Sequence, residues 1–126
     1  MNTIQQGIIT LMKSAVTGES LPLPENFRLE DGESLIRMHS LVPLCYEGAG
    51  LCGIPADGVW MKTYFKLYCQ NLICSEGQLS QLQRMLEAFE TNGIDYLPLK
   101  GVNMKPRYPK PELRVMGDAD VLIKTE

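Results

Sequence analysis

The feature that most constrains the fold is a long helical pattern that ends abruptly. Apolar residues recur at helical spacing from Ala56 to about Asn92, and Gly77 is a point at which this stretch could divide into two helices. Asn92 and Gly93 end the pattern, because both residues readily adopt the left-handed conformation that terminates helices. The sequence therefore predicts that most of the chain before residue 93 is helical.

Two short runs after this helix are rich in strand-forming residues. They are "IDYLPLK" at residues 94–100 and "ADVLIK" at residues 119–124, and a Pro-rich loop lies between them after a helical turn that begins at Gly101. We therefore predict an α+β fold that divides into a helical region, residues 1–92, and a region with strands, residues 93–126.

Two further helical patterns precede the long one. Apolar spacing predicts a helix from about Asn2 to Val16, ended by Thr17 and Gly18. A second pattern runs from Glu33 to about Glu47, where Pro43 either kinks the helix or starts a second short one.

Composition and cysteine spacing exclude several classes of protein. The 126 residues have 44% hydrophobic content, 21% charged content and a net charge of -3, which are typical of one soluble globular domain without bulk nucleic-acid binding. The N-terminus lacks the basic region of a signal peptide and no apolar run could span a membrane, so we expect a cytoplasmic protein. The four cysteines form no C-x-x-C pair, so we expect free thiols and no zinc site.

The sequence "MGDADVLIK", residues 116–124, carries the strongest chemical signal. Alternate residues of a strand point to the same side, so Asp118 and Asp120 are predicted to present two carboxylates together. This arrangement suits Mg²⁺, which takes one or two carboxylates and completes its coordination with water and substrate phosphates. Asp31 and Glu33 have the same spacing, but there the acids are interpreted as first-turn residues that complement a helix dipole.

A cluster of basic residues precedes the carboxylate pair. It holds five of the twelve lysines and arginines: Lys100, Lys105, Arg107, Lys110 and Arg114. Lys100 and Arg114 flank predicted strand ends and are the candidates for phosphate binding, whereas Lys105 and Lys110 are expected to be solvated. Gly101 would let backbone N–H groups approach a phosphate, and Tyr108 is a further candidate for contact with a nucleotide.

The run "LPLKGVNMKPRYPKPELRVMGDADVLI", residues 97–123, resembles the signature of the uncharacterised nucleotidyltransferase family within the polymerase-beta-like superfamily. The resemblance extends from about Asp31 and is most specific at Lys100, Gly101, Arg114, Asp118 and Asp120. It implies Mg²⁺- or Mn²⁺-dependent transfer of a nucleoside monophosphate from an NTP to an acceptor. In that case Asp118 and Asp120 hold the metal, and residues 93–126 contain the first two strands of a mixed catalytic sheet.

The chain departs from the family pattern in one respect. Such enzymes normally need a third carboxylate from a later strand, and here the chain ends soon after Asp120. We therefore expect an N-terminal fragment that is inactive alone. Two strands make a poor sheet by themselves, so self-association through the exposed strand edge is also predicted.

Two other functions are compatible with the sequence. A glycosyltransferase can use an Asp-x-Asp pair to hold a metal and a nucleotide sugar, although its apolar strand should precede the acids. A helical interaction module without catalysis, whose acids only decorate a strand end, is the other alternative. The sequence leaves open whether the chain is an enzyme, which NTP it uses and what the acceptor is.

Overall fold

The structure is a computed structural model that describes all residues from Met1 to Glu126, and it confirms the predicted α+β class. It contains five α-helices and two strands, in the order α1 (Thr3–Thr17), α2 (Glu33–Met38), α3 (Val42–Leu51), α4 (Val59–Thr91), β1 (Tyr96–Pro98), α5 (Gly101–Met104) and β2 (Val121–Ile123). Three short 3₁₀-helices, Leu29–Gly32, Lys105–Arg107 and Pro111–Leu113, lie between these elements. The chain divides into two compact units, Met1–Gln70 and Asn71–Glu126, and α4 belongs to both. None of the helices combines the length and the apolar character that a membrane-spanning segment requires.

Local sequence accounts for both ends of α1. The Asn2 side chain accepts a hydrogen bond from the Gln5 backbone N–H at 2.8 Å, and the Gln5 side chain accepts one from the Asn2 N–H at 3.2 Å. This capping box satisfies two of the free donors at the helix start. Gly18 ends the helix in the left-handed conformation with φ of 76°. The predicted bounds are therefore confirmed to within one residue.

The core of the first unit forms where α1 packs against α3. Gly48 of α3 lies so close to α1 that a side chain there would meet the backbone carbonyl oxygen of Leu11 at 2.0 Å. The core includes the apolar face of α1 together with residues from the other helices: Ile8, Leu11, Leu29, Ile36, Val42, Cys45, Ala49, Met61 and Tyr64. Direct contact between the helix backbones thus requires glycine at position 48.

Pro43 starts a separate helix, which is the second of the two predicted outcomes. α2 ends at Met38, Ser40 adopts a φ of 55°, and Pro43 stands in the first turn of α3. Proline is tolerated there because the first N–H groups of a helix have no partner within the helix. α3 also continues to Leu51, beyond the predicted end near Glu47.

α4 is a single helix that passes through Gly77 without a break. The suggested division at this glycine is therefore wrong, because a lone glycine costs a helix only about 1 kcal/mol and packing outweighs that cost. Val59 and Ile73 belong to the apolar pattern, yet 78% and 72% of their surfaces are exposed. Gly93, with φ of 67°, follows the end of the helix as predicted.

The two strands form an antiparallel pair. Tyr96 lies opposite Ile123, Leu97 opposite Leu122, and Pro98 opposite Val121. Each strand has three residues and is shorter than predicted, but backbone hydrogen bonds from Lys124 to Asp95 and from Leu99 to Asp120 extend the pairing at both ends.

The two faces of this sheet have different surroundings. The Tyr96 ring lies 5.8 Å from the Phe89 ring of α4. Leu97 and Leu122, on the opposite face, are 55% and 58% exposed. The sheet thus has an open apolar face, and self-association remains a prediction.

Candidate functional site

The end of the strand pair brings Lys100 and Asp120 together. The Leu99 backbone N–H donates to the Asp120 carbonyl oxygen at 2.9 Å, which aligns the two chain segments just beyond β1 and β2. The Lys100 Nζ then lies 3.1 Å from Asp120 Oδ2. Both side chains remain open to solvent, with 78% of the lysine and 45% of the aspartate exposed. Two of the predicted site residues are therefore in direct contact.

Lys100 adopts an unusual backbone conformation. Its φ of 50° and ψ of -121° correspond to the first central residue of a type II′ turn, a position that glycine normally occupies. Its carbonyl oxygen accepts hydrogen bonds from the N–H groups of Asn103 and Met104 at 3.0 and 3.1 Å. The chain can therefore turn sharply from β1 into α5 while the lysine side chain stays beside Asp120.

Gly101 is buried under Met116. A Cβ atom at position 101 would lie 3.1 Å from the Cγ and 3.2 Å from the Sδ of Met116, so packing explains why this residue is glycine. α5, which begins at Gly101, has only four residues and contributes little helix dipole. Phosphate binding by the Gly101 backbone stays a prediction.

Asp118 lies in the irregular segment between Leu113 and β2, and its surface is exposed. It borders a cavity of about 350 Å³ that is lined by both amide and apolar side chains: Gln78, Gln81, Leu82, Met85 and Met116. A common orientation for the carboxylates of Asp118 and Asp120 remains a prediction. The structure thus places Asp118 beside a cavity and Asp120 beside Lys100.

Arg114 is half-buried and carries an unpaired donor. Its Nε is buried and has no hydrogen-bond partner. A buried donor without a partner is costly, so this position favours an acceptor from outside the chain.

The backbone N–H of Tyr108 donates to the Lys105 carbonyl oxygen at 3.2 Å, and its half-buried side chain makes no hydrogen bond with the carboxylates.

Lys105 is buried, with 1% of its surface exposed, so the expectation of a solvated lysine is wrong. Its Nζ donates to Ser75 Oγ at 2.6 Å and to the Pro111 carbonyl oxygen at 3.2 Å. Burial lowers its pKa below the ordinary lysine value; the Glu112 charge opposes this effect and the Arg114 charge adds to it. Hydrogen-bond partners on other segments make this burial tolerable, and they cannot be inferred from a basic loop sequence.

Polar residues on α4 are a second feature that sequence reasoning missed. The side chains of Asn71 and Gln78 bond to backbone carbonyl oxygens of residues 112 and 116, at 2.6 and 2.8 Å respectively. With Ser75 they are spaced by four and three residues, and so they share one helix face with buried Leu82. The sequence signal that could have identified them is the placement of polar residues along an otherwise apolar face of α4.

The carboxylate oxygens of Asp118 and Asp120 suit a hard cation such as Mg²⁺, which prefers oxygen ligands. The structure contains no group of three or more His, Cys, Asp or Glu residues that could hold a metal ion. Coordination at Asp118 and Asp120 would therefore depend on water and substrate phosphates for its other ligands. The adjacent Lys100 ammonium group shows that Asp120 already accommodates a positive charge.

The sequence matches a known protein family. The model of the family described as "Uncharacterised nucleotidyltransferase" matches residues 30–126, which include every candidate site residue. No curated protein and no solved structure matches the chain.

Proposed function

This chain belongs to the uncharacterised nucleotidyltransferase family, and from that premise we propose that it carries the metal-binding and phosphate-binding side chains of a Mg²⁺- or Mn²⁺-dependent enzyme. The reaction is transfer of a nucleoside monophosphate from an NTP to an acceptor, with release of pyrophosphate. We also propose that the family lies within the polymerase-beta-like superfamily. The resemblance of residues 97–123 to that superfamily supports this placement. Lys100 and Gly101 stand where the superfamily has a Gly-Ser or Gly-Gly turn, so the chain departs from its pattern at this point.

The observation that carries the proposal is the contact between Lys100 and Asp120. A cation and a carboxylate at the same strand end can bind opposite parts of a metal–triphosphate complex, because Asp120 provides oxygen ligands and Lys100 provides donors for phosphate. The lysine is mostly exposed, so its side chain can leave the carboxylate when phosphate arrives.

The other site residues take roles that follow from their chemistry. Asp118 and Asp120 would hold the metal ion, and a metal bound there supplies charge neutralisation and Lewis acidity at the α-phosphate. Arg114, with its unpaired Nε, would bind phosphate oxygens. Gly101 and Tyr108 are proposed to contact the nucleotide through the backbone and the ring.

The decisive experiment is calorimetric titration of the folded protein with non-hydrolysable analogues of ATP, GTP, CTP and UTP, with and without Mg²⁺. We expect metal-dependent binding by the wild type and no binding by Asp118→Asn/Asp120→Asn. Asp31→Asn/Glu33→Gln is the matched control, because it removes an acid pair of the same spacing from the first unit. Failure of the folded wild type to bind any of the four analogues would refute the proposed function.

A further inference from the structure

The segment that leads into the carboxylate pair is attached to α4 at several backbone carbonyl groups. Asn71 Nδ2 donates to the Glu112 carbonyl oxygen at 2.6 Å, and Gln78 Nε2 donates to the Met116 carbonyl oxygen at 2.8 Å. Between these contacts, Lys105 bridges Ser75 Oγ and the Pro111 carbonyl oxygen. Together these bonds hold residues 111–116, which end two residues before Asp118.

The acceptors in this network are mainly backbone atoms, and this determines what the network can do. A bond to a side chain leaves the main chain free to shift, whereas a bond to a carbonyl oxygen holds the main chain itself. Residues 114–120 contain no regular secondary structure that could hold Asp118 in place. Its position must therefore depend on bonds made on both sides of it. Before it, Gln78 Nε2 donates to the Met116 and Gly117 carbonyl oxygens, and after it the Leu99 N–H donates to the Asp120 carbonyl oxygen.

Lys105 is the unusual member of this network. Its side chain is fully buried, and taking an ammonium group out of water opposes folding unless its bonds compensate. An apolar side chain of similar length would fill this space without that cost, and such replacements are often neutral or stabilising. Stability alone therefore does not explain why position 105 is a lysine. Its two directed hydrogen bonds instead specify where the segment at Pro111 lies.

We propose that Lys105, through Ser75 on α4 and the Pro111 carbonyl group, is a positioning residue that holds the segment before Asp118 so that Asp118 and Asp120 can bind a metal–nucleotide complex. This inference rests on the proposed function and names residues that act through the carboxylates without touching the substrate. Asn71 and Gln78, which lie on either side of Ser75 along α4, support the same segment at residues 112 and 116.

The test compares the wild type with Lys105→Met/Ser75→Ala, which removes the bridge without leaving an unpaired hydroxyl. The matched control is Lys66→Met/Ser80→Ala, because it makes the same chemical changes at exposed positions of α4. Electron paramagnetic resonance of Mn²⁺ in the presence of α,β-methylene-ATP measures the affinity of the protein for Mn²⁺. It also gives the spectrum of the bound ion.

We expect the Kd for Mn²⁺ to rise about tenfold in Lys105→Met/Ser75→Ala, as is typical when residues that orient metal ligands are replaced. The control should bind like the wild type, and both variants should keep the wild-type circular dichroism spectrum. A change of less than about twofold in a folded variant would overturn the positioning role. If the wild type itself does not bind, the proposed function fails first and this inference fails with it.

Backbone hydrogen exchange provides a readout that requires no ligand. The positioning role predicts faster exchange in residues 113–120 of the variant, with unchanged exchange in α1 and α3. Unchanged exchange in residues 113–120 would overturn it. If the double variant does not fold, the same two measurements on Ser75→Ala decide the question, because this change removes one bond and leaves Lys105 in place.

Discussion

Lys100 holds its ammonium group 3.1 Å from Asp120 Oδ2 while its backbone occupies a conformation that favours glycine. A side chain at such a φ and ψ costs about 1–3 kcal/mol. The exposed ion pair returns only about 0–1 kcal/mol. Lys100 therefore costs the fold more than it contributes, which is the pattern expected of a residue retained for binding.

The first prediction tests this balance at position 100. Lys100→Gly should raise the free energy of unfolding by about 1 kcal/mol, because glycine adopts the observed backbone conformation without strain. Lys100→Met keeps the strain and loses only an exposed ion pair, so its stability should change by less than about 0.5 kcal/mol. Urea denaturation measures both, and calorimetry should show weaker NTP binding for each variant. If Lys100→Gly is less stable than Lys100→Met, the backbone of residue 100 is not strained and the prediction is wrong.

The second prediction concerns the approach of α1 and α3 within the first unit. Gly48→Ala should cost more than about 3 kcal/mol, because its methyl group would meet the Leu11 carbonyl oxygen at 2.0 Å and the backbone must move. Gly50→Ala is the matched control on the same helix, since nothing lies within 4 Å of its Cβ position. This control should be neutral or stabilising by up to about 1 kcal/mol, because alanine favours the helix. Circular dichroism during thermal unfolding measures the stability of both variants. Equal stability of Gly48→Ala and Gly50→Ala would show that α1 and α3 are farther apart than described.

The third prediction uses Tyr64, whose hydroxyl group is buried without a hydrogen-bond partner. Tyr64→Phe should raise the free energy of unfolding by about 1 kcal/mol at neutral pH, because it removes an unsatisfied polar group. Burial, followed by the Glu33 charge, also raises the pKa of Tyr64 above 10.0, its ordinary value.

The direction of the pH effect at Tyr64 follows from this raised pKa. Above pH 10.0 the unfolded chain loses the tyrosine proton while the folded chain retains it, so the wild type loses stability as the pH rises. Tyr64→Phe removes this contribution, and its advantage over the wild type should grow above pH 10.0. Urea denaturation at pH 8 and at pH 10.5 is the measurement. A variant less stable than the wild type at both values would mean that the hydroxyl group makes a stabilising bond.

Short-range features of the sequence were sufficient for several of the helix ends. Asn2, Gly18 and Gly93 act through their own backbone and their nearest neighbours, so their effect on helix ends can be predicted without knowing the rest of the fold. Binding of a metal ion and phosphate by the paired carboxylates and nearby cations stays a prediction, which rests on the chemistry of these side chains. The α+β class followed from the change in periodicity after Asn92.

The tertiary structure decided which of these groups meet and which are buried. Only the pairing of β1 with β2 brings Lys100 to Asp120, across twenty residues of sequence, and only packing against α4 buries Lys105 beside Ser75. The passage of α4 through Gly77 likewise depends on contacts distant in sequence. Sequence by itself therefore determined local conformation and the inventory of charges, whereas burial and contact arise from long-range packing, which no short stretch of sequence encodes.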